Sequence, residues 1–468
     1  MINENSHLKR EHFGDDFIWG VAASTVQYEG ASIVDGKSES IWDTFSSQKG
    51  KIKDNVNPSI ACDFYNLYES DIHLLGKLNI PNFRHSFSWS RILPSGTGII
   101  NQNGVDYYNR LIDTLLENNI TPWFTLYHWD IPQVLQEKGG WTNREILNWI
   151  NEYAYVCAQK FGDRVKNWMV LNEPMAIAGA GYFLGVHAPG KKGIQSFLSA
   201  AHHTVISQAS AAKILKQQIN NSNIGTTFSC SSISPYKNTL NDLMAAHRVD
   251  ILLNRMFIEP ALGLGYPIKA LPLLKKIENY ILPGDEKLMV HNFDFIGLQN
   301  YTREVVKHSY LTPYIHAALI PASKRNVECT VMNWEIYPEA ISTMLKQFSS
   351  YKNIPDLYIT ENGAAFHDKV INNKVHDDNR INYLKSHLLQ VLKAKKAGVN
   401  VKGYFVWSFL DNFEWAEGYL PRFGLVHVDF KTQKRTVKNS GKWYRDFLEQ
   451  TKVSDRLIAP NLSSLSKD

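Results

Sequence analysis

The sequence holds only four cysteines, Cys62, Cys157, Cys230 and Cys329, widely spread and without a CxxC pair. That spacing offers neither a metal knuckle nor a redox dithiol, and it reads as reduced thiols. Cys157 falls on the apolar stripe of a helix and is expected in the core. Long apolar runs are missing too, and nothing approaches the roughly 18 apolar residues of a membrane span. The segment Met1 to Asp16 is polar and charged, without the apolar stretch of a secretory leader. A cytoplasmic protein is therefore expected. Nor is there an excess of one charge. Lys and Arg number 50 against 45 Asp and Glu, a net +5 scattered along the chain, which gives no reason to expect a nucleic acid or membrane partner. Neither GxGxxG nor GxxxxGK[ST] occurs, so an open sheet built around a phosphate loop is disfavoured.

What is present is a full core and a repeated cycle. With 44% hydrophobic residues in 468, the chain can form two average domains or one large barrel with long loops. Apolar residues at helical spacing alternate with short β-branched or aromatic runs. Phe17 to Ser24 is the first strand. Phe64, Leu67, Tyr68, Ile72 and Leu75 form a helix, and Asn82 to Trp89 a strand. Leu111 to Leu116 precedes strand Thr121 to Trp129, and the helix carrying Ile146, Ile150, Tyr153 and Cys157 precedes strand Trp168 to Glu173. Helix Ala200 to Gln218 leads to strand Asn223 to Cys230. A Pro- and Gly-rich region, Pro260 to Gly284, leads to strand Phe293 to Tyr301. Helix Ala340 to Phe348 precedes strand Leu357 to Glu361, and helix Ile381 to Lys396 precedes strand Val401 to Phe409. Eight such units predict a (β/α)₈ TIM barrel. It is expected as a single domain, 1–468, with the barrel over about 17–448 and with 1–16 and 452–468 peripheral. A barrel needs ~250 residues, so long βα loop insertions are expected at 30–60, 175–200, 231–290 and 303–333.

The chemistry-bearing residues gather at the strand ends. Two apolar runs close on a carboxylate: Tyr358-Ile359-Thr360-Glu361-Asn362-Gly363, and Val170-Leu171-Asn172-Glu173-Pro174. Each alone reads as a strand end with a solvated Glu and a turn; together they suggest a carboxyl pair facing one site. Gln27, Arg84, His128, Trp129, Gln299, Tyr301, Trp407, Glu414 and Trp415 fall at the other ends. The 12 Trp and 22 Tyr suit a site that stacks on flat apolar faces, although many must be core.

With Thr125 to Pro132 (TLYHWDIP) and Trp407 to Trp415 (WSFLDNFEW), these motifs resemble family 1 of the glycoside hydrolases, the β-glucosidase family. The resemblance runs from about Phe17 to about Leu448. It implies a retaining β-glycosidase, a β-glucosidase first of all, acting on short glucosides and cello-oligosaccharides. Glu361 would be the nucleophile and Glu173 the acid/base, the pair standing about 5–5.5 Å apart as retention requires. Arg84 and Tyr301 would support the nucleophile. Gln27 and His128 would bind the 3-OH side of the sugar with Trp129 and Trp415 alongside, and Asn172 the 2-OH. An ionised Glu414 would take the 4-OH and 6-OH, Trp407 the apolar ring face, and Trp334 the leaving group. No metal or organic cofactor is implied, because both reacting groups are carboxyls.

Three positions depart from the family pattern. Gln299 stands where Asn is usual, one methylene longer, so its hydrogen bond to the nucleophile or the 2-OH is expected to be re-aimed. His85 replaces Phe after the strand arginine, and its role is open. Asn333 replaces Gly before Trp334 and is expected to narrow the leaving-group side. Plainer readings stand beside these. His128 could be a core histidine held by Asp130, Arg84 a core ion pair, and the tryptophans packing only. His202-His203 is not HExxH and reads as structural, and Lys191-Lys192 and Lys395-Lys396 as solvated faces. Among functions, β-galactosidase, β-fucosidase and transglycosidase remain alternatives. A catalytically dead sugar-binding protein is disfavoured by both carboxylates, and a thioglucosidase by Glu173, where Gln would be expected. Oligomeric state is not legible.

Overall fold

Eight parallel strands close on themselves in the computed structural model, which describes residues 8–449. They are β1 (Ile18–Ala22), β2 (Asn82–Ser86), β3 (Thr121–Tyr127), β4 (Asn167–Asn172), β5 (Asn223–Ser229), β6 (Phe295–Gln299), β7 (Asp356–Asn362) and β8 (Val401–Trp407). Each pairs with its sequence neighbours, and β8 returns to β1 to close the barrel. The outer helices are α1 (Phe64–Lys77), α2 (Gln102–Glu117), α3 (Ile146–Phe161), α4 (Ile194–Gln218), α5 (Leu240–Asp250), α6 (Glu339–Ser349), α7 (Asp378–Lys396) and α8 (Asn439–Glu449). This is the (β/α)₈ barrel the alternation predicts. Among the described residues no helix is long and apolar enough to cross a membrane.

The interior is a packed plug. Trp123 of β3 has ring neighbours Phe405 at 5.2 Å, Tyr358 at 5.4 Å and Phe295 at 5.7 Å. These rings fill the barrel below the carboxyl ends of the strands, leaving those ends as the open mouth. The outward strand face packs toward the helices, as where Phe124 stacks on Phe87 at 4.1 Å and Phe87 in turn on Phe161 of α3 at 4.7 Å. His85 belongs to this outer layer. It alternates with inward-pointing Arg84, stacks on Phe83 and lies 3.5 Å from the Glu29 carboxylate. Phe13, fully buried against Phe17 and Trp19, ties part of the amino-terminal segment to the barrel. Residues 452–468 lie outside the described residues.

The strands end earlier than the apolar runs suggest. β2 stops at Ser86, not Trp89, because Trp89 starts a helical turn with its N–H on Asp130 Oδ2 at 3.0 Å. β3 stops at Tyr127 because Trp129 takes a left-handed backbone, φ +78°. α4 begins at Ile194, inside the stretch read as an insertion, and Ala176–Leu184 before it is a wide-turn helix. The 231–290 and 303–333 insertions are partly ordered: Ser232–Pro235, Arg303–His308 and Ala317–Leu319 form a small sheet under α5. α5 escapes the apolar pattern because it packs through small residues, Ala245, Ala246 and Val249, while Leu240, Leu243 and Met244 face outward. All four cysteines are free thiols, and Cys157 is buried in the core.

Candidate active site

Both carboxylates stand where their strands lose regular register. The β7–β6 pairing slips between Ile359 and Glu361, which puts Glu361 opposite Gln299. A bulge of this kind re-aims the side chain that follows it. Gly363 lets the chain pass Trp407, since a Cβ there would sit 1.7 Å from the Trp407 carbonyl oxygen. On β4 the register shifts between Met169 and Asn172. Glu173 then adopts φ +49°, a conformation L-residues hold only under constraint. The constraint is visible: Glu173 N–H donates to Thr227 O at 3.0 Å, and Pro174 follows directly.

A network centred on Arg84 joins the two strand ends. One guanidinium nitrogen donates to Glu361 Oε1 and the other to Asn172 Oδ1, the latter at 2.6 Å. Tyr301 Oη donates to Glu361 Oε2 at 2.6 Å. Gln299 Nε2 donates to both Glu361 Oε1, at 2.9 Å, and Asn172 Oδ1, at 2.7 Å. The longer side chain is therefore not turned aside; its extra methylene lets one amide span both groups. Arg84 can only donate, so Asn172 must turn its Oδ1 toward it and its Nδ2 toward His128. Asn172 Nδ2 lies 3.1 Å from His128 Nε2, which must accept, so His128 carries its proton on Nδ1. Burial, Arg84 and His85 hold its pKa well below the usual value, and the ring is neutral. Asp130 is not its partner, being turned to Trp89.

Burial is the largest influence on both carboxyls and raises both. On Glu361 it is opposed by Arg84 and by the Tyr301 hydroxyl. On Glu173 the negative charge of Glu361 adds to burial, Arg84 opposes it, and Glu414 raises it further. Glu173 lies well above the ordinary carboxylate range, so Glu361 ionises first and Glu173 keeps its proton. Glu414 is pushed up to about 8 by burial, then by Glu361 and Glu417. That direction favours its protonated form near neutral pH, whereas the sequence reading has it ionised.

Around the pair is a cavity of about 440 Å³ lined by every candidate residue named from sequence except Arg84, which sits behind the wall. Gln27 is held by Ser24 at 2.6 Å and donates to Asn412 at 3.0 Å and Glu414 at 3.4 Å. Trp129 does two jobs: its Nε1–H holds the Asn172 carbonyl at 2.8 Å, and its ring lies 4.4 Å from that of Trp415. Trp407 precedes a cis peptide to Ser408. Trp334 stands 5.3 Å from the Tyr301 ring. Asn333 is exposed, absent from the wall, and left-handed at φ +55°. Asn tolerates that backbone, so it replaces Gly without narrowing the site. His202 and His203 lie outside the cavity, bonded to Tyr266, Asp285 and the Trp141 carbonyl.

Sequence reasoning passed over other wall residues. His187 packs on Trp42, Trp129 and Trp415, and burial lowers it to about 4. Ser231, Thr302, Glu304 and Met332 also line the cavity; Ser231, Glu304 and Met332 fall within stretches read as insertions and Thr302 directly before one, where the barrel-strand pattern marks nothing.

A carboxylate beside a proton-holding carboxyl at the mouth of a (β/α)₈ barrel, in a cleft walled by tryptophans and amides, supplies the groups that glycoside hydrolysis needs. The family model described as glycosyl hydrolase family 1 matches residues 9–453, and the chain belongs to that family. It is 44% identical to β-glucosidase A of Thermotoga maritima over 95% of this chain and 99% of the relative. It is 43% identical to a 1,4-β-D-glucan glucohydrolase of Thermotoga neapolitana, over 95% and 99%. The solved β-glucosidase from Thermotoga maritima in complex with deoxynojirimycin superposes with a TM-score of 0.90 at 44% identity, covering 93% of this chain and 98% of that one.

Proposed function

We propose that this protein is a retaining β-glucosidase that removes terminal β-D-glucosyl residues from short oligosaccharides and glucosides. Glu361 attacks the anomeric carbon and Glu173 protonates the departing oxygen. After a glycosyl-enzyme forms, Glu173 takes a proton from water, and water releases the sugar. The observation that carries this reading is the unequal treatment of the two carboxyls. Glu361 receives Arg84, Tyr301 and Gln299, whereas burial and the charge of Glu361 keep Glu173 protonated. When negative charge leaves Glu361 in the glycosyl-enzyme, Glu173 becomes the stronger acid, the cycling its second role as base requires.

The remaining roles rest on position in the cavity wall. The second Nδ2 hydrogen of Asn172 donates toward the 2-OH, and the Nδ1–H of His128, which has no partner among the described residues, serves the 3-OH side with Gln27. Glu414 takes the 4-OH and 6-OH with Trp415 and Trp129 beside it, Trp407 takes the ring face, and Trp334 the leaving group. Both reacting groups are carboxyls, so no cofactor enters the steps. The chain acts as one catalytic domain on small neutral sugars in the cytoplasm, a placement supported by its free thiols. Nitrophenyl β-glucoside, β-galactoside and β-fucoside, assayed on purified protein with the product anomer followed by NMR, test the reading. The glucoside should turn over with the highest kcat/KM and give β-glucose first. A first-formed α anomer, or no turnover of any of the three, would overturn it.

A further inference from the structure

Beside Trp334 the cavity lining includes a residue of the small sheet on the insertions, Glu304, whose carboxylate has no hydrogen-bond partner among the described residues. Glu304 lies on the strand Arg303–His308, opposite Ile233 of Ser232–Pro235. Its neighbour Arg303 turns the other way, pairing with Glu335 at 2.8 Å and lying over the Tyr337 ring. Arg325, the second cation nearby, is likewise taken by Glu335, at 2.5 Å. Glu304 is left with no hydrogen bond or salt bridge to any described residue, yet it is only partly exposed and lines the cavity. Burial raises its pKa against the opposing charge of Arg325. A half-desolvated carboxylate without a donor is an unfavourable arrangement that a ligand with donors would relieve.

The charge of the whole wall points the same way. Its lining carries five carboxyls, Glu173, Glu304, Glu361, Glu414 and Glu417, and no Lys or Arg. Glu173 and Glu414 hold protons near neutral pH, so an anionic leaving group would meet the carboxylates of Glu361 and Glu304 and, among the described residues, no lining cation. An aryl group offers a face to Trp334 but no donor to Glu304. A second sugar offers both, since its adjacent hydroxyls can donate to two carboxylate oxygens at once.

We propose that Glu304 determines leaving-group specificity: its carboxylate accepts hydrogen bonds from a neutral second sugar seated against Trp334, and repels anionic leaving groups. This rests on the β-glucosidase reading and names its substrate class as glucosyl-sugars in preference to aryl glucosides. Three substrates test it: cellobiose, 4-nitrophenyl β-glucoside and 4-carboxyphenyl β-glucoside. In Glu304→Ala the ratio of kcat/KM for cellobiose over nitrophenyl glucoside should fall at least about tenfold, chiefly through KM, equivalent to ~1.4 kcal/mol. Glu304→Gln keeps an acceptor oxygen and the side-chain shape, so it should lose less on cellobiose. It should also raise the carboxyphenyl-to-nitrophenyl ratio about fivefold, as removal of a like charge predicts. A cellobiose ratio within about twofold of wild type in Glu304→Ala overturns the proposal, and an unmoved carboxyphenyl ratio in Glu304→Gln overturns its charge-exclusion half. A general loss of fold would lower all three substrates together and leave both ratios still. Wild-type turnover of nitrophenyl β-glucoside tests the underlying reading by itself. If it is present and the ratios do not move, only the role of Glu304 fails.

Discussion

The side-chain amide of Gln299 donates to Glu361 across 2.9 Å and, through the same nitrogen, to Asn172 across 2.7 Å. One donor group thus couples the nucleophile candidate to the residue preceding Glu173. Gln299→Leu removes both bonds at similar volume and leaves two buried acceptors short of a donor. Hydrogen bonds to charged groups are worth about 1.5–3 kcal/mol. We expect kcat/KM for nitrophenyl β-glucoside to drop by at least about tenfold, with the far-UV circular dichroism unchanged. Wild-type kinetics in this variant would show that Arg84 and Tyr301 suffice.

Glu361→Ala removes the attacking group and should lower turnover by several orders of magnitude, the scale of covalent catalysis. The vacated face stays open, so added azide should attack there and yield the α-glucosyl azide, of inverted configuration. Near-wild-type turnover without azide would refute the assignment.

Glu173→Gln is nearly isosteric but cannot protonate a leaving oxygen. It should cripple cellobiose far more than dinitrophenyl β-glucoside, whose phenolate departs unaided in the first step. Equal losses on the two would argue against the acid role.

The pH profile follows from the two raised carboxyls. Glu361 must be ionised, so activity falls as pH drops through its pKa, which lies above its ordinary value. Glu173 must be protonated, so activity falls as pH rises through a pKa well above the ordinary range. Wild-type kcat/KM should therefore be bell-shaped. In Glu173→Gln assayed with dinitrophenyl glucoside the alkaline limb should vanish while the acid limb stays. An alkaline limb that survives the substitution belongs to another group.

Nitrophenyl β-glucoside should be preferred to its 6-phosphate by at least about a hundredfold, or ~2.7 kcal/mol. Glu414, raised to about 8, is largely neutral at pH 7. The phosphate is refused because, among the described residues, no Lys or Arg lines the wall to meet it, and because its charge would raise the cost of ionising Glu361 and Glu414. The preference should widen above pH 8 as Glu414 ionises. A preference for the phosphate would refute this account.

The order of strands and helices was legible in the chain because a barrel strand is apolar throughout and a barrel helix is apolar on one face, two periods that local sequence carries by itself. The strand-end residues were legible for the same reason: a polar residue closing an apolar run marks the mouth. α5 was not, since it packs through Ala245 and Ala246 and shows no apolar stripe. Three matters depended on the tertiary structure. The bond polarity of Asn172 and His128 follows from Arg84, which arrives from another strand. The unequal protonation of Glu173 and Glu361 depends on burial and on which carboxyl lies nearest that guanidinium, quantities no local pattern contains. Glu304 became part of the wall only because two distant insertions fold into one sheet beside the mouth.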